Sequence, residues 1–353
     1  MGRRKQKHGI IASVVAVILF LAIVLGAWYV VSPTTFESTF GDILIQLGIK
    51  KPDNDNTGNP TGDTLKIHFV DVGQGDAIYV QFPDGKDMLV DAGDRDEELT
   101  DKLLSYLDGL TTLENGLDYV LLTHTDSDHV GGMDDVFARY DVGCVYMPNV
   151  GAKESDPELG YITTTTAYVP FYEAVQNEGC EVVYNQGTLK IEGANYKVDI
   201  YCPDESYYEG IKPNSSAENK NNMSPVIIIE YMGVRTLLSG DLNMDTGSTK
   251  YAWSERHFIE SFSQSFYDCD VIKAGHHGSY GSTGTPLLEF CDPEHVVVSV
   301  GADNSYNHPH DDFINRVLSY DSSLSDNIYR TDEKGNIVMT VGSNGKYQFS
   351  FSK

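Results

Sequence analysis

Only five cysteines occur in 353 residues (Cys144, Cys180, Cys202, Cys269 and Cys291), and no two have C-x-x-C spacing. That excludes a zinc ribbon and a dense disulfide framework. Cationic side chains are scarce too. There are 25 Lys and Arg against 52 Asp and Glu, a net charge of −27. A surface of that sign repels phosphate backbones at long range, which excludes stable coating of nucleic acid. No internal repeat with a period of about 20–50 residues is visible. Disorder is excluded as well, because 41% of residues are hydrophobic and 11% aromatic, enough for a packed core.

Charge is also missing from Ile10 to Val31, 22 consecutive residues. As a helix they would span about 33 Å, enough for a bilayer core of about 30 Å. Arg3, Arg4, Lys5 and Lys7 precede them, and no acidic residue comes before Glu37. This predicts a cytoplasmic tail over 1–9, a single transmembrane anchor over 10–31 and the rest of the chain outside the cell membrane. Trp28 and Tyr29 fall where an interfacial aromatic belt would lie. A cleaved signal peptide is the competing reading, but the run is long for one and no A-x-A site follows. Residues 32–64 read as an extracellular linker. Thr35–Ile49 suggests a short juxtamembrane helix, and Lys50–Thr64 is rich in Pro, Gly, Asn and Asp with little to bury.

From Leu65 to Lys353 the pattern is globular. Alternating or continuous apolar runs (LKIHFVDV from residue 65, AIYVQF, DMLVDA, DYVLLTH, SPVIIIEY, VRTLLSG, VIKAG, HVVVSV) read as strands. Leu99, Leu103, Leu104 and Leu107 recur at helical spacing, and 163–178 also reads as a helix. NIVMTV, Asn344-Gly345 and KYQFSF predict a closing hairpin. Mixed strands and helices over this length suggest one layered α/β sandwich.

The chemistry concentrates at strand ends. Thr123-His124-Thr125-Asp126-Ser127-Asp128-His129 leaves an apolar strand with two imidazoles and two carboxylates within six residues. Imidazole suits zinc, and carboxylate also admits manganese. Three further strands end in Ser239-Gly240-Asp241, Gly275-His276-His277-Gly278-Ser279 and Asn307-His308-Pro309-His310. Loops at such ends can converge on one site. In Asp71-Val72-Gly73-Gln74-Gly75-Asp76 the glycines permit a tight turn, and Asp71 or Asp76 is a candidate to reach the metal loop. Asn222 and Ser224 precede a buried strand, as caps or as site residues.

This order of motifs resembles the metallo-β-lactamase fold superfamily. The variant H-x-D-x-D-H stands in place of the usual H-x-H-x-D-H. Taken with Leu89-Val90-Asp91-Ala92-Gly93, Asn222-Met223-Ser224 and Asn304-x-x-Asn307-His308-Pro309, it is similar to the hydrolase domain of ComEC/Rec2-type competence proteins. The resemblance implies an αββα sandwich with one or two divalent ions (Zn²⁺ or Mn²⁺) at one edge. It sets His124 and Asp126 on one ion, Asp128 and His129 on the other, and Asp241 between them. His277 matches the final metal histidine, with His276 as a neighbour or second ligand. Asp91 would orient the metal loop, with Asp71, Asp76, Asn222 and Ser224 around it. The family's middle histidine has no counterpart, since none occurs between His129 and His257. Asn222 or a water would fill that place. The many membrane helices of a competence channel are absent.

The expected function is a metal-dependent hydrolase, foremost a phosphodiesterase, with His308 or His276 protonating the leaving oxygen. The substrate would be extracellular DNA or a cell-wall polymer. A teichoic-acid phosphodiester is suggested by looser similarity to surface phosphorylcholine esterases. Hydrolysis of another ester or a lactam is one alternative, since a fold does not settle the bond cleaved. A non-catalytic surface binding module with a degenerate metal site is another. Protein partners are not legible.

Overall fold

The computed structural model describes residues 56–110, 116–151, 165–211, 220–244, 253–263 and 267–353. The expected anchor and nearly all of the expected linker lie outside them. Among the described residues no helix is long and apolar enough to cross a membrane.

Two sheets face each other. In the first, β1 (Thr64–Phe69), β2 (Ile78–Gln81) and β3 (Asp87–Val90) form an antiparallel meander, and β4 (Leu117–Leu121), β5 (Val142–Met147) and β6 (Glu181–Tyr184) continue parallel to β3. The chain then enters the second sheet through β7 (Thr188–Glu192), β8 (Tyr196–Tyr201), β9 (Val226–Tyr231) and β10 (Val234–Leu238), all antiparallel. Parallel strands β11 (Val271–Lys273), β12 (His295–Val298) and β13 (Ile328–Arg330) complete it. The hairpin β14 (Ile337–Gly342) and β15 (Tyr347–Phe351) returns to the first sheet beside β1.

Side-chain alternation decides the layering. Along β1, Leu65, Ile67 and Phe69 point between the sheets, where they meet Ile227, Ile229 and Val297 of the second sheet. The opposite faces are covered by helices. Outside the first sheet lie α1 (Glu97–Asp108), the one-turn α2 (Ser127–Val130), α3 (Met133–Arg139) and α4 (Tyr168–Glu178). Beyond α5 (Glu205–Ile211), the second sheet is covered by α6 (Glu255–Glu260), α7 (Thr285–Cys291) and α8 (Asp311–Tyr320). The result is αββα. On α1, Asp96 caps Leu99 N–H at 3.1 Å, and Leu103 and Leu107 are buried. Strand β12, buried at all four positions, reads as a continuous apolar run because both its faces are covered.

Residues 56–63, the last of the expected linker, are held rather than loose. Gly58 N–H donates to Tyr347 O at 2.8 Å, Tyr347 N–H to Asn56 O at 2.9 Å, and Asn344 Nδ2 to Asn59 O at 3.0 Å. The attachment is made of polar groups, which hydropathy does not register.

The parallel strands position the site. Ligand loops in open α/β sheets leave the carboxyl ends of strands. Here β3, β4, β10, β11 and β12 deliver Asp91, 123–129, Asp241, 275–278 and 299–308 to a common edge.

Candidate metal centre

The loop after β4 is clamped before it turns. Asp91, just past β3, accepts Thr123 N–H at 2.8 Å, Thr123 Oγ1–H at 2.7 Å and His129 Nδ1–H at 2.7 Å. With Nδ1 donating, His129 keeps the Nε2 lone pair for the centre. The Thr123 proton is spent on Asp91, so its oxygen accepts from His124 Nδ1 at 3.0 Å. That leaves His124 Nε2 as a lone pair too, buried and without a hydrogen-bond partner. His277 Nδ1–H donates to Ser299 O at 3.0 Å, so its Nε2 also faces inward.

The ring nitrogens therefore point lone pairs at one another. His129 Nε2 and His277 Nε2 are 3.2 Å apart. Asp241 Oδ1 lies 3.2 Å from His129 Nε2 and 3.6 Å from His277 Nε2, and Asp128 Oδ2 lies 3.3 Å from His277 Nε2. Acceptors this close repel unless a positive charge joins them. Asp241 Oδ1, like His124 Nε2, is buried with no hydrogen-bond partner. The donor set therefore fits a divalent cation, and two groups in particular, His124/His129/Asp241 and Asp128/His129/His277, have ligand atoms within 4.8 Å of one another. Imidazole with carboxylate suits zinc, manganese or iron.

Electrostatics agrees. Burial pushes His129 down, yet Asp241 and Asp91 outweigh it and hold its pKa well above the usual value. Burial pushes Asp241 up, and His129, His276 and His277 overcome it, so its pKa is well below the carboxylate range. The site favours positive charge, for which a proton and a metal ion compete.

Backbone strain marks the same place. Asp91 (φ 58°), His276 (φ 49°) and His277 (φ 53°) are left-handed without being glycine. Such residues cost about 1–2 kcal/mol each and cluster at functional sites. Gly75 (φ 142°) serves close approach: a Cβ there would lie 2.3 Å from Asp128 O. Its neighbour Asp76 donates N–H to Asp128 O at 3.1 Å and accepts Gly93 N–H at 2.8 Å, bracing the loop.

The sequence-predicted residues divide. Asp91, His124, Asp126, Asp128, His129, Asp241, His276 and His277 come together. His277 lies at the heart of the site, whereas His276 is partly exposed and reaches it through Asp241 Oδ2 at 3.5 Å. Asp76 sits beside the histidines, 3.5 Å from His277 Nδ1. Asp71 does not: its carboxylate pairs with Lys353 at 2.9 Å and Lys102 at 3.2 Å. Ser224 Oγ accepts Asp241 N–H at 3.1 Å and lies 3.3 Å from His124 Nδ1. Asn222 does not fill the missing histidine's place, because its Oδ1 accepts Asn243 N–H at 3.1 Å and Nδ2–H at 2.9 Å. Its neighbours Lys220 and Asn221 reach the site residues. Lys220 pairs with Asp126, and Asn221 Nδ2 lies 3.3 Å from His276 Nδ1. His308 approaches with its ring 5.4 Å from His276. Burial, then His277 and His276, lower its pKa to about 4. It is thus neutral at pH 7, and a nearby cation would lower it further.

Sequence reading missed Lys273, Ser299 and Lys220. Fully buried Lys273 pairs with Asp76 and lies 3.4 Å from Gly240 O. A lysine closing the apolar strand Val-Ile-Lys was the available signal. Ser299 acts through its carbonyl, which no residue identity reveals.

The profile of the metallo-beta-lactamase superfamily matches residues 70–301. The chain belongs to that superfamily. Its members are metal-dependent hydrolases, and the two-sheet sandwich is their fold. Homologues include ComE operon protein 3 of Bacillus subtilis (strain 168), 27% identical over 289 residues, 77% of this chain and 32% of that protein. Competence protein ComA of Neisseria gonorrhoeae is 27% identical over 230 residues, 65% of this chain and 26% of that protein. The chain thus spans about a third or less of the length of these relatives. Among solved structures, the metallo-beta-lactamase fold protein YhfI of Bacillus subtilis is similar at 13% identity and TM-score 0.46, covering 79% of this chain and all of that one.

Proposed function

We propose that this metallo-beta-lactamase superfamily member is a phosphodiesterase, anchored by residues 10–31 and acting outside the cell membrane. The observation that carries the reading is the set of inward lone pairs of His124, His129 and His277 gathered with the carboxylates of Asp128 and Asp241. One or two divalent cations held by these residues, with Asp126 and His276 at the rim, would supply Lewis acidity and lower the pKa of water. The chain's own part is orientation. Asp91 and the Ser299 carbonyl fix the tautomers of His129 and His277, so the donor atoms are set before substrate arrives. Asp241 reaches both sides, with Oδ1 3.2 Å from His129 Nε2 and Oδ2 3.9 Å from His124 Nε2, and ties the two sheets' loops together. His308, neutral at pH 7, offers a hydrogen bond to a phosphoryl or leaving oxygen. Positive charge gathered at one buried point lets a single phosphodiester bind although the chain carries −27 overall. Anchoring is supported by the 22-residue uncharged run behind four basic residues.

The test uses the 353-residue chain loaded with Mn²⁺ or Zn²⁺ and offered bis(p-nitrophenyl) phosphate, nitrocefin and an acyl-lactone. Phosphodiester turnover that Asp128→Ala and Asp241→Ala both abolish is expected. Turnover of nitrocefin or lactone alone, or no turnover, would overturn the reading.

A further inference from the structure

A file of four rings leads out of the centre. Tyr306, His308, His310 and Tyr280 stand in order, with successive ring centroids 5.7, 4.7 and 5.1 Å apart. His308 joins the file to the centre, 5.4 Å from His276 and 6.2 Å from His277. Both ends are open to solvent, Tyr306 at 61% and Tyr280 at 62% exposure.

The backbone that carries the exposed rings is held in place. Asn304 Oδ1 accepts Tyr306 N–H at 3.2 Å and His308 N–H at 3.0 Å, while its Nδ2 donates to His308 O at 2.6 Å and Gly301 O at 2.9 Å. Tyr280 N–H donates to His310 Nδ1 at 3.1 Å, and Tyr280 O accepts Arg316 Nη2–H at 2.7 Å. His308 is only 9% exposed, and its Nδ1 has no hydrogen-bond partner. An unsatisfied buried donor or acceptor costs free energy, so this atom has capacity left for a ligand.

We propose that Tyr306 and Tyr280 form a stacking subsite for the nucleobases flanking the phosphodiester at the metal centre. The chain then selects base-bearing strands over base-free phosphodiester polymers. This rests on the phosphodiesterase reading and names its substrate class. The argument turns on the sign of the surface. A net charge of −27 denies the chain the usual gain from counterion release. Affinity beyond the metal centre then falls to uncharged contacts, and base–aromatic stacking supplies about 1–3 kcal/mol per base. The two tyrosine rings are open to solvent, which suits flat partners. A duplex hides its base faces, so the strand is single or frayed.

The test measures fluorescence anisotropy of the full chain in Mn²⁺ with oligo(dT) and with an abasic strand of equal length, both phosphorothioate-linked so that neither is consumed. The base-bearing strand is expected to bind about 5- to 150-fold more tightly per stacked base. Tyr306→Ala and Tyr280→Ala each lower that ratio, and together bring it near one. Tyr306→Phe retains it, and so does Met232→Ala, an exposed apolar control on the β9–β10 turn. Equal binding of the two strands by the wild type, or an unchanged ratio in the double variant, would overturn the proposal. Base preference without cleavage of ordinary strands would leave the subsite standing and remove the phosphodiesterase reading.

Discussion

The two sides of the centre are built differently. On the Asp128/His129/His277 side, each imidazole donates Nδ1–H to a strong, fixed acceptor: the Asp91 carboxylate or the Ser299 carbonyl. On the His124/Asp126 side the acceptor is the Thr123 hydroxyl, and Asp126 is engaged by the Lys220 ammonium. A carboxylate behind an imidazole raises its basicity more than a hydroxyl does, and an ammonium on a ligand carboxylate competes with a cation for it. The first side is therefore expected to hold a cation more tightly than the second, where the family's middle histidine is missing.

The largest test of this contrast removes what both sides share. Asp241→Ala should abolish metal content and lower kcat/KM by about 10³-fold or more, because it removes the carboxylate donor that reaches both sides of the centre. Elemental analysis and steady-state assays read both. Next comes the layer behind the ligands. Asp91→Asn is expected to weaken metal binding about 10- to 100-fold, and Ser224→Ala, on the His124 side, by less. Equal losses would erase the asymmetry. Lys220→Ala sharpens the contrast in the other direction. Removing the ammonium from Asp126 should raise metal occupancy of the second side a few-fold in a Mn²⁺ titration, and unchanged stoichiometry would show that the ammonium is not what limits it.

A separate effect, away from the centre, concerns stability. His68 lies under α1, bonded to the Tyr106 hydroxyl at 2.7 Å and to Gln81 Oε1 at 3.1 Å. Burial pulls its pKa from 6.5 down to about 4. The unfolded chain then takes up the proton first. This contribution is whole above pH 6.5 and is lost as pH falls toward 4, to a limit of about 3 kcal/mol. Asp87 runs the other way: burial raises its pKa to about 6, so its cost eases as pH falls below that value. Denaturant melts at pH 7 and pH 4.5 should show a smaller pH-dependent loss in His68→Gln than in the wild type.

Much of the site was legible because its ligands sit in short motifs at the ends of apolar strands. Alternation in β1 and the closing Asn344-Gly345 hairpin were legible for the same reason, since their signals are local. What escaped depends on distant partners. Asp76 meets Lys273 across 197 residues, and Asp71 meets Lys353 across 282. Two carboxylates five positions apart in one loop thus go to unrelated places. No spacing rule separates them, because the hairpin that carries Lys353 to Asp71 closes only in the folded sheet. The choice between His276 and His277 was equally hidden. It is made by two consecutive left-handed residues and a backbone carbonyl.

The most direct measurement is metal content after reconstitution with Mn²⁺ or Zn²⁺ and gel filtration, for the wild type beside Asp241→Ala. At least one ion per wild-type chain, lost from the variant, is the expected result. An ion-free wild type, or equal retention by both proteins, would contradict the proposed centre.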